Sequence, residues 1–507
     1  MQHGGPLHGP AQQTEGRGAM KQRSQKTAGA YYTPDPVVAS LIQWVVQHTQ
    51  DQMLDPSCGD GRFIAGHRYS VGVEQNGEAV RQAITHAPWA RVYEEDFFTW
   101  ASTTSERFEC AVGNPPFIRY QSFKGEVRDR ALRLCARLGA PFTGLTSSWA
   151  PFLVGAASLL LPGGRMAFVV PAEIGHAPYA APLLEYLVAR FAVVHVVAVR
   201  DKFFPELSED CWLLYAEGFG EHTAEIGFSA LDAFMPMSAL PQPGIKISVH
   251  EWREAWHRRL RPFIMPAAAL ELYREAVLHP QTRRFGEVAS IGIGYVTGAN
   301  DFFHLRPSEA ALWSIPTAFL HPTVRNGRAL PPRRLTAATV EMWCRNDDPV
   351  LLLRLPKRAD VPAPVHKYLD TEAGRRAREA YKCRMREPWY VVPDVQVPDF
   401  FLTYMSGLEP NLVRNEAGCT CTNSVHNVRV RDRSAAARLV TAWEAPFLKL
   451  SCEIEGHPLG GGMLKLEPGE ASQIVLPPPD VLSRLNGTII EEAITTMRAW
   501  RHYVLGS

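Results

Sequence analysis

The sequence predicts an α/β protein whose first half is a doubly wound, mostly parallel, Rossmann-like sheet, with a domain of α+β type behind it. Three observations carry this expectation. Short apolar runs alternate with helical patterns from about residue 29 to 235, and a glycine-bearing loop is followed by an acid at the next strand end, Glu74 lying 19 residues after Asp55. Near residue 285 the texture changes to short strands and turns punctuated by Gly, Pro and Arg.

Taken in order, residues 1–28 read as a disordered tail, and "PVVASLIQWVVQHT" (36–49) as the first amphipathic helix. The strands are "QMLDPS", "SVGVE", "RVYEEDFF", "FECAVGN", "GRMAFVVPA" and "AVVHVVAVR". "APFLVGAASLLL" (150–161) reads as a buried helix between the last two strands and their predecessors. The Pro-rich "MPMSALPQPG" (235–244) marks a domain edge, so 236–284 reads as a linker with a helical connection. Residues 285–480 form the second domain, and 481–507 a closing amphipathic helix.

A chain of 507 residues exceeds what one core supports. With 46% hydrophobic and 21% charged residues the composition is that of an ordinary globular protein, and no run reaches the roughly 18 to 20 apolar residues of a membrane span. The nine cysteines are scattered and no secretory signal is read, which predicts a reducing cytoplasm. "CTC" (419–421) has no second pair at ligand spacing, so no metal enters the reading. The net charge of +1 divides into −4 for residues 1–250 and +5 for 251–507, and "TEAGRRAREAYKCRMR" (371–386) sets six basic residues against two acidic ones. Such a run is either a solvated helix face or a phosphate-contacting surface.

The chemistry sits at strand ends. In "MLDPSCGDGRF" (53–63), Gly59 and Gly61 let the backbone approach a ligand, and Glu74 stands where ribose hydroxyls are accepted in Rossmann-like sheets. The phosphate fingerprint G-x-G-x-x-G is missing. The loop carries Asp55 and Asp60 instead, which repel a pyrophosphate and suit a cationic adenosine, the character of S-adenosylmethionine. "EEDFF" ends another strand with Asp96 beside Phe97, an acceptor for an adenine amine next to an apolar face.

"GNPPF" (113–117) ends the fourth strand. Pro115 and Pro116 have no N–H, so their carbonyls stand in fixed directions as acceptors, and Asn114 adds a side-chain carbonyl. With Phe117 alongside, the stretch makes a receptor for a planar group bearing an NH2. Accepting both hydrogens out of plane frees the nitrogen lone pair for attack on a methyl sulfonium.

"GAYYTP" (29–34), "LDPSCGDGRF", "EEDFF" and "GNPPFIRYQ", in that order, resemble motifs X, I, III and IV of the gamma-class N6-adenine DNA methyltransferases of type II restriction–modification systems, the TaqI-like and Eco57I-like methylases. "LLLPGGRMAFVVPAEI" and "KFFPEL" resemble further catalytic-domain stretches. "IGIGYVTGANDFF" and "GHPLGGGMLKLEP" resemble parts of the C-terminal target-recognition domain. The resemblance implies a class I S-adenosylmethionine-dependent methyltransferase domain over 29–235 and a DNA target-recognition domain over 285–480.

It further implies S-adenosylmethionine as cofactor. Tyr31 and Thr33 would lie over its methionine part, Asp55 and Gly59 near the methionine and sulfonium, Glu74 at the ribose, and Asp96 and Phe97 at the adenine, with Pro56, Cys58, Asp60 and Gly61 also binding the cofactor. Asn114 borders both ligands; Asn114 and Pro115 would hold the target amine, Pro116 belongs to the same catalytic motif, and Phe117, where many members have Tyr, would stack on a flipped adenine. The implied partners are double-stranded DNA and a separately encoded restriction endonuclease, with no membrane, in a bacterial cytoplasm at the nucleoid. Arg325, Arg328, Arg375, Arg376, Lys382, Arg384 and Arg386 are the candidate DNA contacts. The competing readings are a protein-glutamine or RNA methyltransferase using the same clamp, and a non-catalytic DNA-binding subunit derived from a methylase. A fused nuclease lacks its Pro-Asp and Asp/Glu-x-Lys residues in an added N-terminal region.

Overall fold

In the computed structural model, residues 33–205, 209–357, 361–459 and 461–503 are described, and the chain divides into two units, Met1–Ile264 and Met265–Ser507. The expected tail at 1–28 and Tyr31 lie outside the described residues. No helix among the described residues is long and apolar enough to cross a membrane.

The first unit opens with α1 (Asp35–Val45), whose start is set by Pro34 and Pro36. Its buried face, Val37, Val38, Leu41, Trp44 and Val45, packs on Val112, Ala167, Val169 and Leu213 of the sheet. There follow β1 (Met53–Asp55), α2 (Arg62–Ala65), β2 (Ser70–Glu74), α3 (Gly77–His86), β3 (Arg91–Glu94), α4 (Phe97–Thr103), β4 (Phe108–Gly113), α5 (Gly125–Arg137) and α6 (Trp149–Ala157). Then come β5 (Leu160–Pro171), α7 (Ala181–Val188), β6 (Phe191–Val199), β7 (Cys211–Phe219), β8 (Glu225–Leu231) and β9 (Ile245–Ser248).

The nine strands form one sheet in the order β3-β2-β1-β4-β5-β7-β6-β8-β9. β3 through β5 are mutually parallel, β7 runs antiparallel to both β5 and β6, and the β8–β9 pair is antiparallel. This is the Rossmann-like, mostly parallel sheet predicted from the sequence, with β8 and β9 added at one edge. β7, β8 and β9 lie beyond the six strands that the sequence predicts. In β7, seven of nine positions, Cys211 to Gly218 apart from Glu217, are buried, so the alternation that signals a strand is absent.

Two expected boundaries move. The segment 236–284 is not a linker throughout, because Ile245–Ser248 pairs with Glu225–Phe228 and the first unit continues to Ile264. The helix expected to reach Leu161 ends at Ala157, because Leu160 is drawn into register opposite Phe108 as the start of β5.

The second unit is of α+β type. A five-stranded sheet orders Ala289–Ile293, Val425–Val430, Phe400–Thr403, Leu412–Asn415 and Arg334–Leu335, and a four-stranded one orders His304–Leu305, Leu351–Leu353, Leu320–Val324 and Thr420–Cys421. The closing helix is shorter than expected, Gly487–Trp500, because the Asn486 side chain accepts from the N–H groups of Thr488 and Ile489 and restarts the backbone there. It buries Ile490, Ala493, Ile494 and Met497.

Candidate active site

β1 pairs with β4 (Met53 opposite Cys110, Leu54 opposite Ala111), while β2 lies on one side of this pair and β5 on the other. The strand order therefore reverses between β1 and β4, and connections leave their carboxyl ends in opposite directions, opening a crevice. Asp55 ends β1, Glu74 ends β2 and Gly113 ends β4 with Asn114 next, so the topology brings these residues to one rim.

Asp55 is 1% exposed, and its Oδ1 accepts from the Ser57 N–H at 3.1 Å. Burial, opposed by that hydrogen bond and reinforced by the charges of Glu74 and Asp60, raises its pKa to about 8. Glu74, half-buried, accepts from the Gly59 N–H at 3.1 Å with one oxygen and from the Asn76 N–H at 2.8 Å with the other. The glycine loop is thus tied to the acid of the second strand. Gly61 has φ +91°, and a Cβ there would stand 2.8 Å from the Ala83 Cα, so only glycine fits. Pro56 and Cys58 are buried, with the Cys58 thiol pushed well up by burial. Asp60 departs from expectation: its carboxylate pairs with the Arg62 guanidinium at 3.3 Å, which offsets its charge. The acidity of the loop rests on Asp55 and Glu74.

At the end of β3, Asp96 caps α4, its Oδ1 accepting from both the N–H and the hydroxyl of Thr99 at 2.9 Å. Phe97 is a correction. It is 3% exposed, stacked on Phe152 with centroids 5.3 Å apart and closed in by Gly155, whose added Cβ would meet the ring at 2.8 Å. It is core packing rather than an exposed stacking face, because α4 starts at Phe97 and turns that side chain inward against α6. Thr33 is 3% exposed.

In the loop after β4, Pro115 is buried and Asn114, Pro116 and Phe117 are half-buried, Phe117 packing against the core that holds Phe203, Phe204 and Tyr215. The expectation that both proline carbonyls stay open is corrected for one of them: the Pro116 carbonyl accepts from the Ser148 hydroxyl. Ser148 gave no signal in the sequence, since it lies in the run "TSSW" about thirty residues downstream.

A buried acid whose charge awaits a cation, a second acid at the neighbouring strand end and glycines that only a missing side chain allows fit a cationic adenosine. A Cβ on Gly113 would come within 2.8 Å of Asp55 Oδ1, so the same geometry couples this cradle to the loop of Asn114.

In the second unit Arg328, Arg375, Arg376, Lys382 and Arg384 are exposed, with Arg376 paired to Glu372, while half-buried Arg325 lies 3.7 Å from Asp301. Arg386 is the exception. It donates to the carbonyls of Thr297 and Val296, both at 2.6 Å, and so braces the chain. The first unit carries a second basic run that the sequence reading did not include, "RYQSFKGEVRDRALRLCAR" (119–137), where Ala131, Leu134 and Cys135 of α5 face inward and Arg133 and Arg137 are exposed. Its six basic residues against two acids were the available signal.

The family described as "N-6 DNA Methylase" matches residues 18–86, and "Type II methyltransferase M.Eco57I, C-terminal domain" matches 257–503. The type II methyltransferase M.AccI of Acinetobacter calcoaceticus is 19% identical over 89% of this chain and 85% of its own length. M.XamI of Xanthomonas campestris pv. amaranthicola is 24% identical over the same shares. A tRNA1(Val) (adenine(37)-N6)-methyltransferase of Dickeya chrysanthemi is 33% identical, over 26% of this chain and 54% of its own. The methyl donor of such enzymes, S-adenosylmethionine, is the cofactor that the β1–β2 cradle fits. The chain is thus similar to the N-6 DNA methylases in its first unit, to the C-terminal domain of M.Eco57I in its second, and to type II methyltransferases along both.

Proposed function

We propose that the protein methylates the N6 amine of an adenine rotated out of duplex DNA, at a specific sequence, as the modification component of a restriction–modification system in the bacterial cytoplasm. The observation that carries this is the Asn114-Pro115-Pro116-Phe117 loop at the carboxyl end of β4, beside the buried Asp55 of β1. S-adenosylmethionine supplies an electrophilic methyl group on a sulfonium.

The remaining work falls to the chain. Asp55 and the loop through Pro56, Cys58, Gly59 and Gly61 would hold the cationic end, together with Thr33 and Tyr31. Glu74 accepts from the ribose and Asp96 from the adenine. The Asn114 side-chain carbonyl and the Pro115 carbonyl accept the two N–H bonds of the target amine, and Phe117 stacks on its ring. An aryl amine is a weak nucleophile because its lone pair is delocalised; acceptors held off the ring plane localise it towards the methyl. Rotating the base out costs a few kcal/mol, offset by stacking and backbone contacts. Exposed Arg328, Arg375, Arg376, Lys382 and Arg384 of the second unit with half-buried Arg325, and exposed Arg133 and Arg137 of α5, supply phosphate and base contacts. A cognate endonuclease encoded separately completes the system.

Long-read sequencing of DNA from cells expressing the wild type and Asn114→Ala tests this. Modified adenines in one sequence context are expected with the wild type and none with the variant. Relatives spanning both units are type II methyltransferases, whereas the tRNA enzyme aligns with a quarter of the chain, which favours duplex DNA. Methyl transfer to RNA or protein without modified DNA would reverse that preference.

A further inference from the structure

Ser148 occupies the residue before α6, with φ −61° and ψ −35°, where a serine ordinarily caps the helix with its hydroxyl. Here the side chain caps nothing in the helix. Instead the hydroxyl donates to the Pro116 carbonyl and accepts from the Ile118 N–H at 3.0 Å, while the Ser148 N–H donates to the Ile118 carbonyl at 2.9 Å. One residue, 1% exposed, therefore holds both peptide groups that flank Phe117.

Its own position is fixed from behind. Trp149 Nε1 donates to the Tyr179 hydroxyl at 2.9 Å, and Tyr179 donates to Glu173. The residue that follows Ser148 is thus tied to half-buried Tyr179, leaving Ser148 aimed at the Asn-Pro-Pro-Phe loop.

We propose that Ser148 is a positioning residue for methyl transfer. By taking the Pro116 carbonyl it leaves the acceptor role to Asn114 and Pro115, and by locking the planes around Phe117 it sets the angle at which the target amine meets those acceptors. Reactions of this kind depend steeply on alignment, so losing the lock lowers the rate of the chemical step more than it weakens binding. The inference rests on the methyl-transfer reading above.

The test uses the full chain, tritiated S-adenosylmethionine and plasmid DNA from a host lacking adenine methylation. Wild type, Ser148→Ala, Ser148→Thr and Asn114→Ala are compared for kcat, cofactor Kd and melting temperature. Ser148→Ala is expected to lose about ten- to a hundredfold in kcat with cofactor Kd within about twofold, and Ser148→Thr, which restores the hydroxyl, to recover most of it. Should alanine prevent folding, Ser148→Cys, a weak donor of similar size, is expected to fold with an intermediate kcat. A Ser148→Ala enzyme (or the cysteine variant in its place) as fast as wild type overturns the inference. So does a loss of cofactor affinity in step with kcat, or a folded threonine variant no faster than alanine. If instead the wild type transfers no tritium to DNA, or Asn114→Ala transfers it at the wild-type rate, the underlying reading fails and this inference with it.

Discussion

Gly113, the last residue of β4, lies against Asp55, the last residue of β1, so closely that a Cβ built on it would stand 2.8 Å from Asp55 Oδ1 and 3.3 Å from the Phe168 ring. The loop that carries Asn114 and the acid of the cofactor cradle therefore share one packing contact.

Gly113→Ala forces the Asp55 carboxylate aside inside a close-packed region. Overpacking of this kind costs about 1–3 kcal/mol. The variant is expected to melt several degrees lower and to bind S-adenosylmethionine at least about tenfold more weakly, as calorimetry would show; unchanged affinity would separate the two motifs.

Asp55 also predicts a pH dependence. Its native pKa of about 8 lies above the ordinary 3.8, so between roughly pH 4 and 8 the folded chain keeps a proton that the unfolded chain has shed. The native state binds more protons there, and the ligand-free protein loses stability as pH rises through that window, levelling off above about 8. A cationic ligand favours the ionised form, so cofactor affinity should rise with pH from 6 to 8, by at most about tenfold per unit. Asp55→Asn should flatten this dependence, measured as Kd against pH.

The basic residues of the second unit should separate into two behaviours. Arg386→Ala removes two donors from the Val296 and Thr297 carbonyls and is expected to cost about 1–3 kcal/mol in denaturant unfolding. Arg375→Ala and Lys382→Ala, both exposed, should leave stability unchanged and lower the slope of log affinity for DNA against log salt by about one each. An unaltered slope would remove that face from the DNA interface.

At the end of the chain, Arg501 is fully buried and pairs with Glu453 at 2.8 Å while its other donors reach the carbonyls of Gly462 and Leu408. Arg501→Met leaves Glu453 buried with Arg498, 3.3 Å away, as its remaining partner. Removing one member of such a buried pair costs about 3–5 kcal/mol, and the lower melting temperature of the variant checks it.

What could be read from the residues alone were features whose determinants are local. β1, β2 and β4 announce themselves as apolar runs, Gly61 marks a turn that needs positive φ, and Asp55, Glu74 and Asn114 fall at strand ends, so the gathering of these residues at one rim of the sheet was legible in the sequence. Even the helix before β5 was right in kind, its end alone misplaced by the pull of Phe108 on Leu160. The remainder was decided by contacts between distant segments. β7 is a strand because it fills the gap between β5 and β6, Phe97 is core because Phe152 and Gly155 close over it, and Arg386 is a brace because the chain of residues 296–297 passes beside it. Ser148 could as well have capped its own helix; its hydroxyl is turned to Pro116 by packing across 32 residues of sequence, and a hydrogen bond made at that separation leaves no pattern in the order of the residues.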